Sequence, residues 1–116
     1  MKALEAIERY QVNYLPGVPT MLMYLLQHPA REEFDLSSLA RITSGGAPLP
    51  EALREECEEV FGCRVDQGYG LSESAAVATG YEIERPYRPG SAGVASQGVE
   101  IRILDEHGQR VGRGIR

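Results

Sequence analysis

The chain has 116 residues, 42% of them hydrophobic and 25% charged, with 13 Gly, 7 Pro, 2 Cys and no Trp; this composition fits a globular chain and excludes a disordered, collagenous or disulfide-stapled one. Seventeen acidic residues against twelve basic give a net charge of -5. The basic side chains are scattered, so the concentrated positive charge that extended nucleic acid requires is missing, whereas a small anion held by backbone amides stays compatible.

Met1 to Arg9 alternates charged and apolar residues without the continuous apolar core of a secretory signal, and a cytoplasmic setting is expected. Ala3 to Tyr10 reads as helix, and Val12 to Leu15 as a short buried strand stopped by Pro16 and Gly17. Val18, Met21, Leu22, Leu25 and Leu26 recur at helical spacing, a core-facing stripe ended by Pro29. That apolar stretch contains Pro19 and Thr20 and is far shorter than the roughly 20 residues of a membrane span, so no transmembrane segment is expected. Asp35 suits a capped turn before a strand over Leu39 to Ser44, which runs into Gly45 and Gly46. Pro50 and Glu51 suit a helix start. Leu49, Leu53, Cys57, Val60 and Phe61 line its apolar side until Gly62 ends it, with Arg54, Glu55, Glu56, Glu58 and Glu59 as the solvated face. Arg64 to Gln67 is a further short strand leading into the loop Gly68 to Ser74. Past Thr79, Pro86, Pro89, Gly90 and Gly93 interrupt the pattern. Val99, Ile101 and Ile103 then alternate with polar residues as in a strand, and Asp105 to Gly108 resembles a hairpin turn. Cys57 and Cys63 match no zinc spacing with His28 or His107 and are expected buried and reduced.

These elements predict an α/β part over residues 1–79 and a β-rich continuation over 80–116. The expected architecture is a three-layer segment, a mostly parallel sheet of as many as four short strands flanked by helices, followed by a small β hairpin region. Ligands of such sheets gather beyond the carboxyl ends of the strands, where the loops at 44–48 and 67–74 both lie. Ser44-Gly45-Gly46-Ala47-Pro48 carries no bulky side chain, so a flat ligand such as a purine could lie against its backbone. The second loop offers Tyr69 to stack on a base, Ser72 to donate to a phosphate oxygen and Glu73 to hold Mg²⁺. Turn formation and capping are the plainer roles for the same residues.

Ser44 to Pro50 (SGGAPLP) and Gly68 to Ser74 (GYGLSES), with a helix between them, resemble the adenine-binding loop and the tyrosine-to-glutamate motif of the adenylate-forming, AMP-binding enzymes. Leu15 to Thr20 (LPGVPT) resembles that family's entry to the acyl pocket, Arg88 to Gly93 its PGS-G turn, and Gly98 to Gly114 a β segment. The resemblance implies that Gly45, Gly46, Ala47 and Pro48 pack against adenine with Tyr69 on the other face. Gln67, Gly68 and Gly70 would border the nucleotide, Ser72 would contact the α-phosphate, Glu73 would bind Mg²⁺, and Gly46, Gly70 and Val77 would border the acyl group. The implied reaction is attack of a carboxylate on the α-phosphate of Mg·ATP, with release of pyrophosphate and acyl transfer to the thiol of coenzyme A. Ser72 and Glu73 would then stabilise charge rather than act as nucleophiles. Leu15 to Met21 and Asp35 to Leu39 look most like a fatty-acid or acyl-CoA synthetase. An amino-acid or aryl-acid adenylation domain that loads a carrier protein, and a non-catalytic nucleotide-binding module, are the alternatives. The family's lysine-bearing phosphate loop and its ribose-binding aspartate have no match here, and the only lysine is Lys2. The expectation is an internal piece of a larger enzyme, without turnover alone, whose uncovered edges favour self-association.

Overall fold

Three short parallel strands organise the computed structural model, which describes residues 2–112. They are β1 (Tyr14–Gly17), β2 (Arg41–Ser44) and β3 (Arg64–Gln67), in the order β1-β2-β3, with Leu15, Ile42 and Val65 in register. Three helices supply the crossovers and cover: α1 (Lys2–Tyr10), α2 (Pro19–Leu26) and α3 (Glu51–Phe61). Because side chains alternate along a strand, Ile42 and Val65 point to one face, where both are fully buried with Ile7, Leu22, Leu26, Cys57 and Phe61. Each such side chain contributes about 1.5–3 kcal/mol through burial.

The opposite face of the sheet is polar. Arg41, Thr43, Arg64 and Asp66 occupy it, and a strap of residues 80–94 crosses it as the third layer, bounded by the antiparallel pair β4 (Thr79–Gly80) and β5 (Val94–Ala95). Arg41 Nη2 donates to Tyr81 O and Arg64 Nη1 to Ile83 O, each at 2.6 Å. Helices, parallel sheet and strap thus form the α/β arrangement expected, with three parallel strands in place of four.

Several elements differ from the expectation. β1 begins two residues later than expected and contains Pro16 and Gly17. It lies at the sheet edge, where the N–H that proline lacks is not needed on the outer side. On α2 only Leu22 and Leu26 are buried, while Val18 and Met21 of the predicted stripe are exposed. β2 starts at Arg41, after Leu39 has already entered the core. Cys57 and Phe61 of α3, and Leu49 just before it, are buried, and the helix ends at Gly62, whose φ of +62° suits glycine, but Val60 is exposed. Arg54 is not on a solvated face: it is 8% exposed, bonds Glu51 Oε1 at 2.6 Å, pairs with Glu58 Oε2 and lies 4.3 Å over the Tyr87 ring. Burial works against its charge, but the hydrogen bonds and charges of Glu51 and Glu58 outweigh it and hold the guanidinium above its ordinary pKa.

The alternating run after Val99 makes no regular strand. Ile101, Ile103 and Leu104 are exposed, and one isolated bridge, Leu104 to Arg110, closes the predicted hairpin around Asp105–Gly108. Asp105 Oδ1 accepts the amides of His107 and Gln109, which explains the turn. The pattern had a face to bury, and among the described residues no layer covers it. The expected tail beyond Gly112 lies outside the described residues. Both cysteines are free and buried, and burial pushes each thiol up to about 11, with nearby Glu56 and Cys63 adding at Cys57 and Glu58 at Cys63.

Candidate functional site

The sheet's hydrogen-bond ladder continues past the ends of its strands. Gly45 N donates to Gly17 O and Gly68 N to Ser44 O, both at 2.9 Å, so the two glycine loops leave the sheet side by side. Gln67 Oε1 accepts the Leu49 amide at 2.9 Å and fixes the exit of the first loop to the start of the second. A cleft of about 460 Å³ opens between them, within the range of small-molecule sites. Gly46, Ala47 and Pro48 form one wall and Gln67, Gly68, Tyr69 and Gly70 the other, with Gly90 and Ala92 of the strap closing the end.

Tyr69 is held by its backbone and free at its ring. Its N–H donates to Thr79 O at 3.2 Å, its carbonyl accepts from Thr79 N at 2.8 Å, and the residue is 52% exposed. Gly70 leaves no room for a substituent, since a Cβ there would overlap Ala76 O. The loop folds back close to Gly70, and Ala75 and Ala76 take positive φ of 54° and 84° to make the turn. A second cleft, about 270 Å³, adjoins the first through Gly46, Gly68, Tyr69 and Gly70. Gly45 and Val77 line this one, together with Tyr14, Pro16 and Gly17 of β1.

Ser72 and Glu73 stand apart. They occupy a single 3₁₀ turn, Ser72–Ser74, are exposed, and line neither cleft. The Ser74 hydroxyl donates to Leu71 O at 3.0 Å and holds the turn in shape. Among the described residues no group of three His, Cys, Asp or Glu could hold a metal by itself. A lone exposed carboxylate still suits Mg²⁺, which keeps several waters and takes one or two protein carboxylates beside substrate phosphates. A larger groove of about 650 Å³ along the strap touches neither glycine loop.

Of the predicted residues, the structure therefore brings Gly46, Ala47, Pro48, Gln67, Gly68, Tyr69 and Gly70 to one cleft and Gly45 and Val77 to its neighbour. The reading of the sequence missed Thr79, which anchors Tyr69, and the wall contributed by Gly90 and Ala92. The PGS-G turn at Arg88 to Gly93 was the available signal for that wall, but nothing in it indicated a role.

A parallel sheet whose strand ends carry two glycine loops around one cleft is the arrangement of a ligand-binding α/β domain. The family model described as "AMP-binding enzyme" matches residues 1–115, and the chain belongs to that family. It is 34% identical over 106 residues to a long-chain-fatty-acid–CoA ligase of Bacillus subtilis (strain 168), a match that covers 91% of this chain and 19% of the relative. It is 40% identical over 106 residues to the probable CoA ligase CCL5 of Humulus lupulus, covering 88% and 19%. Among solved structures, the anthranilate CoA ligase AuaEII in complex with anthranoyl-AMP superposes with a TM-score of 0.86 at 28% identity, over 96% of this chain and 21% of that one. The chain thus spans about a fifth of the length of these relatives. Among the described residues no helix is long and apolar enough to cross a membrane.

Proposed function

We propose that the chain supplies the adenine-binding wall, and part of the acyl-binding wall, of an ATP-dependent acid–thiol ligase that activates a carboxylate as its adenylate and passes it to coenzyme A. One observation carries this reading: two glycine loops, held together by the sheet ladder and by Gln67, flank a cleft with the exposed ring of Tyr69 on one side. The backbone of Gly46 and Ala47 suits one face of a purine, and Tyr69 suits the other. Gly45, in the same loop, lines the adjoining cleft. Ser72 would donate to the α-phosphate and Glu73 would hold Mg²⁺, whose charge would offset that of the phosphates during attack by the carboxylate. Val77 and Gly70, in the adjoining cleft, would border the acyl chain.

A fatty acid is the carboxylate we favour, on the relative named for long-chain fatty acids and on the exposed apolar surfaces of Val77, Val18 and Tyr14 near β1. The aryl-acid reading has its own support in the likeness to the anthranilate ligase. A cytoplasmic setting belongs to the same proposal, supported by two free buried cysteines. So does self-association, which exposed Tyr14 on the sheet edge and Met21, Met23 and Tyr24 on α2 favour.

Calorimetric titration with Mg·ATP, and then with non-hydrolysable acyl- and aryl-adenylate analogues, tests the reading. Binding is expected, with Tyr69→Ala weakening it by about 1–3 kcal/mol through loss of stacking. Glu73→Gln is expected to remove the dependence on Mg²⁺, and Val77→Trp to weaken long-chain analogues while sparing AMP. An affinity unchanged by Tyr69→Ala would assign the ring a structural role only.

A further inference from the structure

Asp66 is a wholly buried carboxylate for which the nucleotide reading has no task. It sits on β3, on the face of the sheet that looks toward the strap. Its Oδ1 accepts from the Thr43 hydroxyl at 2.9 Å and its Oδ2 from Arg41 Nε at 3.0 Å. Arg64 Nε stands 3.2 Å from the same Oδ2, as an ion pair without hydrogen-bond geometry. A buried carboxylate is costly unless it is paired and hydrogen-bonded, and the pairing fixes the orientation of both guanidiniums in return.

The same guanidiniums also grip the strap, Arg41 through the Nη2 that lies 2.8 Å from Asp66 Oδ2. Arg41 reaches Tyr81 O and Arg64 reaches Ile83 O. Two residues before Tyr81, Thr79 exchanges both backbone bonds with Tyr69, and its hydroxyl donates to Ala92 O, on the cleft wall, at 2.7 Å. We propose that Asp66 is a positioning residue for the cleft: its carboxylate holds Arg41 and Arg64 in the orientation that clamps residues 81–83, and the clamped strap sets where Tyr69 stands. What the cleft binds rests on the proposed function; the clamp itself does not.

Adjacent amides separate this role from a general contribution to packing. The Gly68 N–H is held by Ser44 of β2, whereas the next one, of Tyr69, is held by Thr79, the residue that leads into the strap. Hydrogen exchange read residue by residue on the full chain therefore tests the proposal. Asp66→Asn is expected to speed exchange at Tyr69 and Thr79 by about tenfold or more, the order of change for losing a hydrogen bond to a charged group. Gly45 and Gly68 should keep their wild-type rates. Equal acceleration at all four amides, or none at Tyr69, overturns the proposal. Arg64→Met removes the grip on Ile83 but leaves Arg41 paired with Asp66. It should give the same selective pattern with a smaller amplitude, and it decides the matter if Asp66→Asn does not fold. The same variants should bind an acyl-adenylate analogue several-fold more weakly. A wild-type chain that binds no such analogue would overturn the nucleotide reading and leave the exchange test standing.

Discussion

Single atoms set the limits of the candidate cleft. At Gly70 even a methyl group would overlap Ala76 O, so Gly70→Ala must push the turn at residues 72–76 away from Tyr69. Loss of analogue binding is expected in calorimetry, with stability in urea lowered by about 1–3 kcal/mol. Ser44 presents the opposite case. It is fully buried, and its Oγ has no hydrogen-bond partner among the described residues. Burying an unpaired hydroxyl is unfavourable, so Ser44→Ala is expected to leave stability unchanged or to raise it by up to about 1 kcal/mol in a urea titration. A loss of more than that would mean that the hydroxyl has a partner.

Elements show which part of this was legible in the sequence. β3 forms over the residues its pattern indicates, and both glycine loops lie at the strand ends as expected, because turn chemistry and local periodicity are short-range signals. Contacts made across long separations were not legible. The row of acidic residues on α3 reads as solvated, yet Tyr87, 33 residues after Arg54, covers that arginine, and its hydroxyl donates to Glu51 Oε2 at 3.2 Å. Asp66 and Arg41 look like ordinary alternating polar positions until the strap is laid over them. The run after Val99 fails for the converse reason: its alternation is correct for a strand, but among the described residues no layer receives it. Arg54→Ala should therefore cost about 1–3 kcal/mol in urea unfolding, through lost packing on Tyr87 and unpaired Glu51 and Glu58, where a solvated arginine would cost almost nothing.

The molecule as a whole has one core and one arm. Its radius of gyration is 16.4 Å, against roughly 13 Å for a compact chain of this length. The core carries a pH dependence of definite sign. Cys57 and Cys63 ionise near 11 when folded and near 9 when exposed, so the native state holds protons that the unfolded chain gives up. Their contribution is complete below pH 9 and lost as pH rises toward 11, by at most about 3 kcal/mol for each thiol. Urea midpoints across that window should fall, less steeply in Cys63→Ala. The arm has a different fate. Every residue from Glu100 to Arg110 is exposed, and Arg102 and Arg110 lie in this arm, whereas Arg41, Arg54 and Arg64 are tied to carboxylates and carbonyls of the core. Proteolysis favours exposed, weakly bonded backbone. Trypsin should therefore trim the chain at Arg102 and Arg110 first and leave a resistant fragment that still contains both glycine loops, so the smallest piece able to carry the cleft is one that a protease can define.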